Sequence, residues 1–409
     1  MEHGVSAITW AALALMILAA KLGGEAALRL RQPPVLGELL AGVVLGNLPL
    51  PYLSEAVHGP AIGFAAELGV LLLLFQVGLE SSLGEMVKVA PRAGVVAFLG
   101  VVFPSVFGFC ASRLVLPDIS VSAHLFIGAT LCATSVGITA SVLKDLRALA
   151  TPEARVVLGA AVIDDVLGLV VLSVVSAIAA SGSVDVWGVA RISGLAIVFL
   201  VGAIVVGLRV TRGVYRFAAV LRAPHVLGAV SIALCLLLAG ASSWSGLAAI
   251  VGAYSIGLIL DEVSVRPFDQ GLKKIEDFVS PMVAVFAPVF FVRTGMSVQL
   301  GGLGADSLLL TVLLVVSAIA GKLACGIGVR GKGIDRLMIG IGMTPRGEVG
   351  LIFAGVAASL KVGDEPLLSP GVHAALIMTV FVTSALAPPL LAWRIRTRAN
   401  GETAEPSPT

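Results

Sequence analysis

The chain alternates long hydrophobic runs with short polar breaks. Thirteen runs, bounded by Pro, Gly and charge, fall at about 5–22, 33–50, 61–80, 93–114, 122–143, 155–180, 187–208, 225–240, 244–260, 278–297, 306–328, 334–360 and 372–393. A hydrocarbon slab takes roughly 20 apolar residues per helical crossing. In lipid a backbone must satisfy its own polar groups, which a helix does within one segment. The pattern therefore predicts an all-α polytopic membrane protein with about 13 transmembrane helices.

Two runs carry interruptions. The fifth contains Thr134-Ser135-Val136-Gly137 and the twelfth Thr344-Pro345-Arg346-Gly347-Glu348. A helix broken at membrane depth exposes backbone groups, which is tolerable only where they are buried in protein or line a cavity. The breaks lie seven spans apart, in segments of opposite direction, as an inverted-topology repeat requires. They predict a binding site near mid-membrane.

Composition narrows the class. Of 409 residues, 58% are apolar and 13% charged, with a mean hydropathy of +1.04; soluble domains carry about 25% charge. A soluble globular protein is excluded. The net charge of +2, from 27 basic and 25 acidic residues, is too balanced for a nucleic-acid binder. Twenty of the 27 basic residues fall on one set of alternate loops and in the tail, with Lys361 the clear exception on the other side. By the positive-inside rule the N-terminus is outside and the C-terminus cytoplasmic. The four cysteines lie in apolar runs, without CxxC or His/Cys spacing, so no metal centre and no cofactor is implied. The N-terminal run reads as a first helix rather than a removed signal. Residues 399–409 read as a disordered cytoplasmic tail.

The chemistry rests on a few ionisable residues inside apolar runs: Asp164, Asp165, Lys322, Arg346 and Glu348. Each costs at least ~2.5–3.5 kcal/mol at the bilayer centre, so they must pair or meet water. Neighbours on a helix point about 100° apart. Asp164 is accordingly assigned to neutralise Lys322, and Asp165 to face a cavity and bind a cation or a proton. Oxygens of Thr134 and Ser135 are candidate further contacts. Arg346 and Glu348 read as compensating each other and the broken helix ends. A purely structural role for the acid pair, and backbone bonding by Thr134 and Ser135, are the alternatives. Arg293, near the end of the tenth run, reads as snorkelling outward. Gly42-x-x-x-Gly46 fits close helix packing.

Val162-Ile163-Asp164-Asp165-Val166-Leu167-Gly168-Leu169, the stretch at 71–86, the Thr134–Gly137 break, Lys322 and the PRGEVGLI segment at 345–352 together resemble the monovalent cation:proton antiporter superfamily, closest to the NapA-like sodium/proton antiporters. The resemblance runs along essentially the whole chain. It implies two crossed, broken helices in a core transport domain (81–180 and 301–398), a dimerisation domain (1–80 and 223–300) and a linker helix (181–222). It further implies a homodimer in the bilayer, elevator-type alternating access, and electrogenic exchange of two protons per sodium ion, with Asp165 as the sodium ligand. The membrane would be a prokaryotic inner membrane or an internal energy-coupling one. A potassium/proton antiporter of the same fold is the nearest alternative. An intramembrane aspartyl protease is disfavoured, because its acids must face one another from separate helices.

Overall fold

The computed structural model describes residues 6–49, 56–57, 59–181, 186–218, 221, 225–264, 269–298, 305–329, 331, 334–362 and 365–402. Its elements are α1 (Ala7–Arg29), α2 (Pro34–Asn47), α3 (Pro60–Leu79), α4 (Leu83–Val115), α5 (Val121–Thr130), α6 (Val136–Asp145), α7 (Pro152–Ser181), α8 (Val186–Ala218), α9 (Val226–Trp244), α10 (Ala249–Ser264), α11 (Asp269–Met296), α12 (Ala305–Cys325), α13 (Arg336–Gly342), α14 (Glu348–Ser359) and α15 (Pro370–Glu402). A two-residue ladder pairs Lys361–Val362 with Glu365–Pro366. Helices α2, α3, α7 and α15 open on proline, whose missing N–H costs nothing in a first turn.

Eight helices among the described residues, α1, α3, α4, α7, α9, α11, α12 and α15, are long and apolar enough to cross a membrane. The other five runs become the 14-residue α2, the 33-residue α8, the 16-residue α10, and the interrupted pairs α5/α6 and α13/α14. Several helices outlast their apolar runs. Helix α4 begins at Leu83, and α15 continues to Glu402, so the tail expected from 399 stays helical for four more residues. The cause at α15 is anchoring: Arg394 bonds Asp335, and Arg396 donates to the Arg31 carbonyl at 2.8 Å.

The chain divides into two compact units. One comprises Met1–Gly23, Glu38–Lys88 and Asp185–Val298, the other Gly24–Gly37, Val89–Val184 and Gln299–Thr409. In the first unit helices meet backbone to backbone through glycine. A Cβ on Gly257 of α10 would lie 2.4 Å from the Phe75 carbonyl oxygen and 2.7 Å from the Gly78 Cα of α3. Gly42 of α2 stands against Val292 and Gly295 of α11 in the same way. Such contacts replace a hydrophobic driving force that lipid cannot supply. Gly257→Val is expected to cost about 1–3 kcal/mol or more by overpacking, read as a lower thermal midpoint of the purified protein.

The second unit has two apolar clusters. One joins Phe126, Ile127 and Leu131 to Val175, Leu310, Leu314, Ala318, Phe353 and Leu376. The other joins Val89, Ala93 and Val96 to Val156, Val157, Ala160, Cys325, Ile339 and Met343. Along α7, Asp164 and Asp165 fall between Ala160 of one cluster and Val175 of the other; along α12, Lys322 falls between Ala318 and Cys325. The polar residues thus form a layer with apolar packing on either side.

Candidate functional site

Both interruptions belong to the second unit. Helix α5 stops at Thr130 and α6 resumes at Val136; α13 stops at Gly342 and α14 resumes at Glu348. The two gaps bond to each other. The Ser135 N–H donates to the Pro345 carbonyl at 2.7 Å. The Thr134 hydroxyl donates to the Met343 carbonyl at 3.3 Å and the Thr139 hydroxyl to the Gly342 carbonyl at 2.6 Å. Helix-end groups that lack intrahelical partners are thereby satisfied across the gaps. Gly347 makes the approach possible, since a Cβ there would sit 2.6 Å from the Ser135 Oγ.

Arg346 holds the gaps from inside. It is 0% exposed. Its Nε donates to the Leu131 carbonyl at 3.1 Å, its Nη2 to the same oxygen, and its Nη1 to the Thr344 carbonyl at 3.1 Å. Leu131 caps α5 and Thr344 lies in the gap just beyond α13, so one guanidinium serves a carbonyl from each interruption. The Arg346 N–H donates to the Ser384 hydroxyl at 3.2 Å, and that hydroxyl donates to the Arg346 carbonyl. Arg346 therefore bonds carbonyls at both interruptions. The Glu348 side chain lies outside the described residues.

Beside the gaps lie the acids and the lysine. Lys322, 0% exposed, donates from Nζ to the Thr134 Oγ1 at 2.7 Å and approaches the Asp164 Oδ1 at 3.4 Å. Gly100 of α4 leaves room for this ammonium, since a Cβ there would be 3.4 Å from Nζ. Asp164 and Asp165 are 1% and 4% exposed. The Asp164 Oδ2 and the Ser135 Oγ are buried with no hydrogen-bond partner among the described residues. An acceptor left bare in a low-dielectric interior is costly, and carboxylate and hydroxyl oxygens are the ligand type that small hard cations take. Asp164, Lys322 and Thr134 are thus brought together, Ser135 sits at the contact between the gaps, and Asp165 is the next residue of α7.

A profile described as the transmembrane sodium/hydrogen exchanger matches residues 13–393. The chain belongs to the sodium/hydrogen exchanger family. It is 35% identical to the high-affinity Na+/H+ antiporter NhaS3 of Synechocystis sp., over 93% of this chain and 88% of that protein. It is 32% identical to the Na+/H+-K+ antiporter GerN of Bacillus cereus, over 93% of this chain and 94% of that protein. Its fold matches the sodium proton antiporter MjNhaP1 of Methanocaldococcus jannaschii with a TM-score of 0.72 at 19% identity, covering 97% and 98% of the two chains. As a member of the sodium/hydrogen exchangers the chain is an integral membrane protein and a transporter, which removes the protease reading.

Four charged residues around this exchanger's broken helices escaped the sequence reading. Glu153 of α7 is fully buried and accepts from the Asp335 N–H at 2.9 Å and from Arg398. Asp335 caps α13 and receives the Arg394 Nε at 2.6 Å. Their signal was faint, because at the ends of apolar runs they count as ordinary loop charges. Arg293, for which the sequence offered only snorkelling, points its Nε at the Val57 carbonyl at 3.4 Å. His124 of α5 is buried, with its Nδ1 2.9 Å from the Ser112 hydroxyl.

Proposed function

We propose that this exchanger carries sodium, with lithium as a second cargo, against protons across its membrane, two protons per ion, at a site formed by Asp165 and Asp164 with the oxygens of Thr134 and Ser135. The observation that carries this reading is the buried Asp164–Lys322 pair beside the joined gaps, with the Asp164 Oδ2 and Ser135 Oγ lacking a hydrogen-bond partner among the described residues. A pocket with few oxygens binds a cation only when its carboxylates are negative, so proton and cation exclude one another there. Lys322 holds Asp164 while the cation is absent. Arg346 and Glu348 keep the two crossed, broken helices neutral and rigid.

Residues 81–180 and 301–398, with Asp164, are read as the body that moves the ion, and 1–80 and 223–300 as the dimerisation scaffold of a homodimer, with 181–222 as the linker and elevator-type alternating access. The skew of basic residues toward one set of loops supports an outside N-terminus and a cytoplasmic C-terminus. With unequal charges exchanged, the membrane potential contributes ~2.3 kcal/mol per 100 mV for each net charge moved. In proteoliposomes with an entrapped pH dye, sodium is expected to dissipate a preformed proton gradient, and an imposed potential to change the rate. Potassium exchange of the kind in the name of GerN is the second reading. A response to potassium with none to sodium would replace the sodium assignment, and equal rates at all potentials would remove the two-for-one stoichiometry.

A further inference from the structure

Helix α13 has seven residues, about 10 Å of length. That is too short to hold its own position, since isolated helices below about 12 residues are marginal. Its place is therefore set by what grips its ends. The inner end is the second gap, where the Gly342 and Met343 carbonyls take the Thr139 and Thr134 hydroxyls, and Thr134 in turn takes the Lys322 ammonium. The other end is gripped by charge. Asp335 accepts the Leu337 and Met338 N–H groups at 3.1 Å on Oδ1 and the Arg394 Nε at 2.6 Å on Oδ2. Its own N–H goes to the Glu153 Oε1, which also takes the Arg398 Nη1. Arg394 and Arg398 stand four residues apart on α15, hence on one face. Both acids are buried, whereas each arginine side chain is 33% exposed. Three elements, the start of α7, the start of α13 and the end of α15, thus meet in one ionic cluster, joined to Lys322 by a seven-residue rod.

We propose that Arg394 and Arg398 are positioning residues for cation binding: the end of α15 clamps the start of α13 through Asp335 and Glu153, and so holds the Gly342 and Met343 carbonyls against Thr139 and Thr134. The inference rests on the reading of the Asp164–Lys322 region as the ion site. Without the clamp α13 can shift along its axis, the Thr134 hydroxyl loses its fixed acceptor, and the balance between lysine and cation at that hydroxyl changes. Sodium affinity moves more than turnover, because no clamp residue touches the ion.

The test compares the full chain with two double variants in proteoliposomes, following initial rates against sodium concentration. Arg394→Gln with Arg398→Gln is expected to raise the half-saturating sodium concentration about three- to tenfold, within the range of couplings carried through packed networks, with the maximal rate within about twofold. Arg394→Lys with Arg398→Lys, which keeps both charges, is expected to return near the starting value. Unchanged half-saturation in the Gln pair, whatever its thermal midpoint, overturns the clamp. If the Gln pair does not insert, Arg398→Gln alone leaves the Asp335–Arg394 bond in place and should still give about a twofold shift; none overturns the clamp equally. Asp165→Asn run alongside separates the two claims. An inactive Asp165→Asn with an unshifted Gln pair removes the clamp and keeps the ion site, while an active Asp165→Asn removes the ion site on which the clamp rests.

Discussion

Asp165→Asn is expected to abolish sodium-driven proton movement in proteoliposomes, by at least about a hundredfold, which corresponds to ~2.7 kcal/mol of lost stabilisation. The amide matches the carboxylate in shape but carries no charge and exchanges no proton, so it removes both competitors' claim on the pocket. The protein should remain folded, because an amide of the same shape takes the place of a charge in the buried interior. Asp164→Asn should behave differently. It leaves the Lys322 ammonium, 3.4 Å from the Asp164 Oδ1, buried without its counter-charge, and breaking a buried pair typically costs about 3–5 kcal/mol. A lowered thermal midpoint for Asp164→Asn beside an unchanged one for Asp165→Asn is the expected contrast. Sodium-driven activity persisting in Asp165→Asn would reject the assignment of the cation to that carboxylate.

The second large effect is on stability. Arg346→Ala removes the donors that serve the Leu131 and Thr344 carbonyls, in a fully buried place. Each bare buried acceptor costs about 1–3 kcal/mol, so the variant should lose roughly 2–6 kcal/mol. That outcome is read as a thermal midpoint several degrees lower, or as failure to recover monodisperse protein. Arg346→Lys, with a compact ammonium able to meet one carbonyl but not the planar fork, should fall between the two. A wild-type midpoint for Arg346→Ala would mean that the gaps are held by other contacts.

Much of this molecule is written in local pattern. Apolar runs mark helices because lipid permits little else, and the polar and small residues at Thr134 and at Thr344–Gly347 mark where two of those helices stop. Asp164, Asp165 and Lys322 stand out because charge is rare at such depth. What pattern conceals is pairing at long range. Arg346 finds its partner at Leu131, 215 positions away, and Glu153 meets Arg398 across 245 positions. Nothing in the stretches around 131 or 398 announces those bonds, since a backbone carbonyl has no sequence signature and an arginine after an apolar run reads equally well as a topology signal. Helix ends are obscured for the same reason: Glu402 stays helical because its preceding turns are tied to distant atoms, not because of its neighbours.

The idea on which the functional account stands is that one buried set of oxygens takes either a proton or an alkali cation. The direct measurement is proton release on sodium binding, with the purified exchanger in weakly buffered detergent solution and a pH indicator. Added sodium is expected to acidify the solution saturably in the wild type, with a release that shrinks as the starting pH rises and the carboxylates are already bare, and Asp165→Asn is expected to release nothing. Sodium bound with no proton set free, at any starting pH, would contradict that idea.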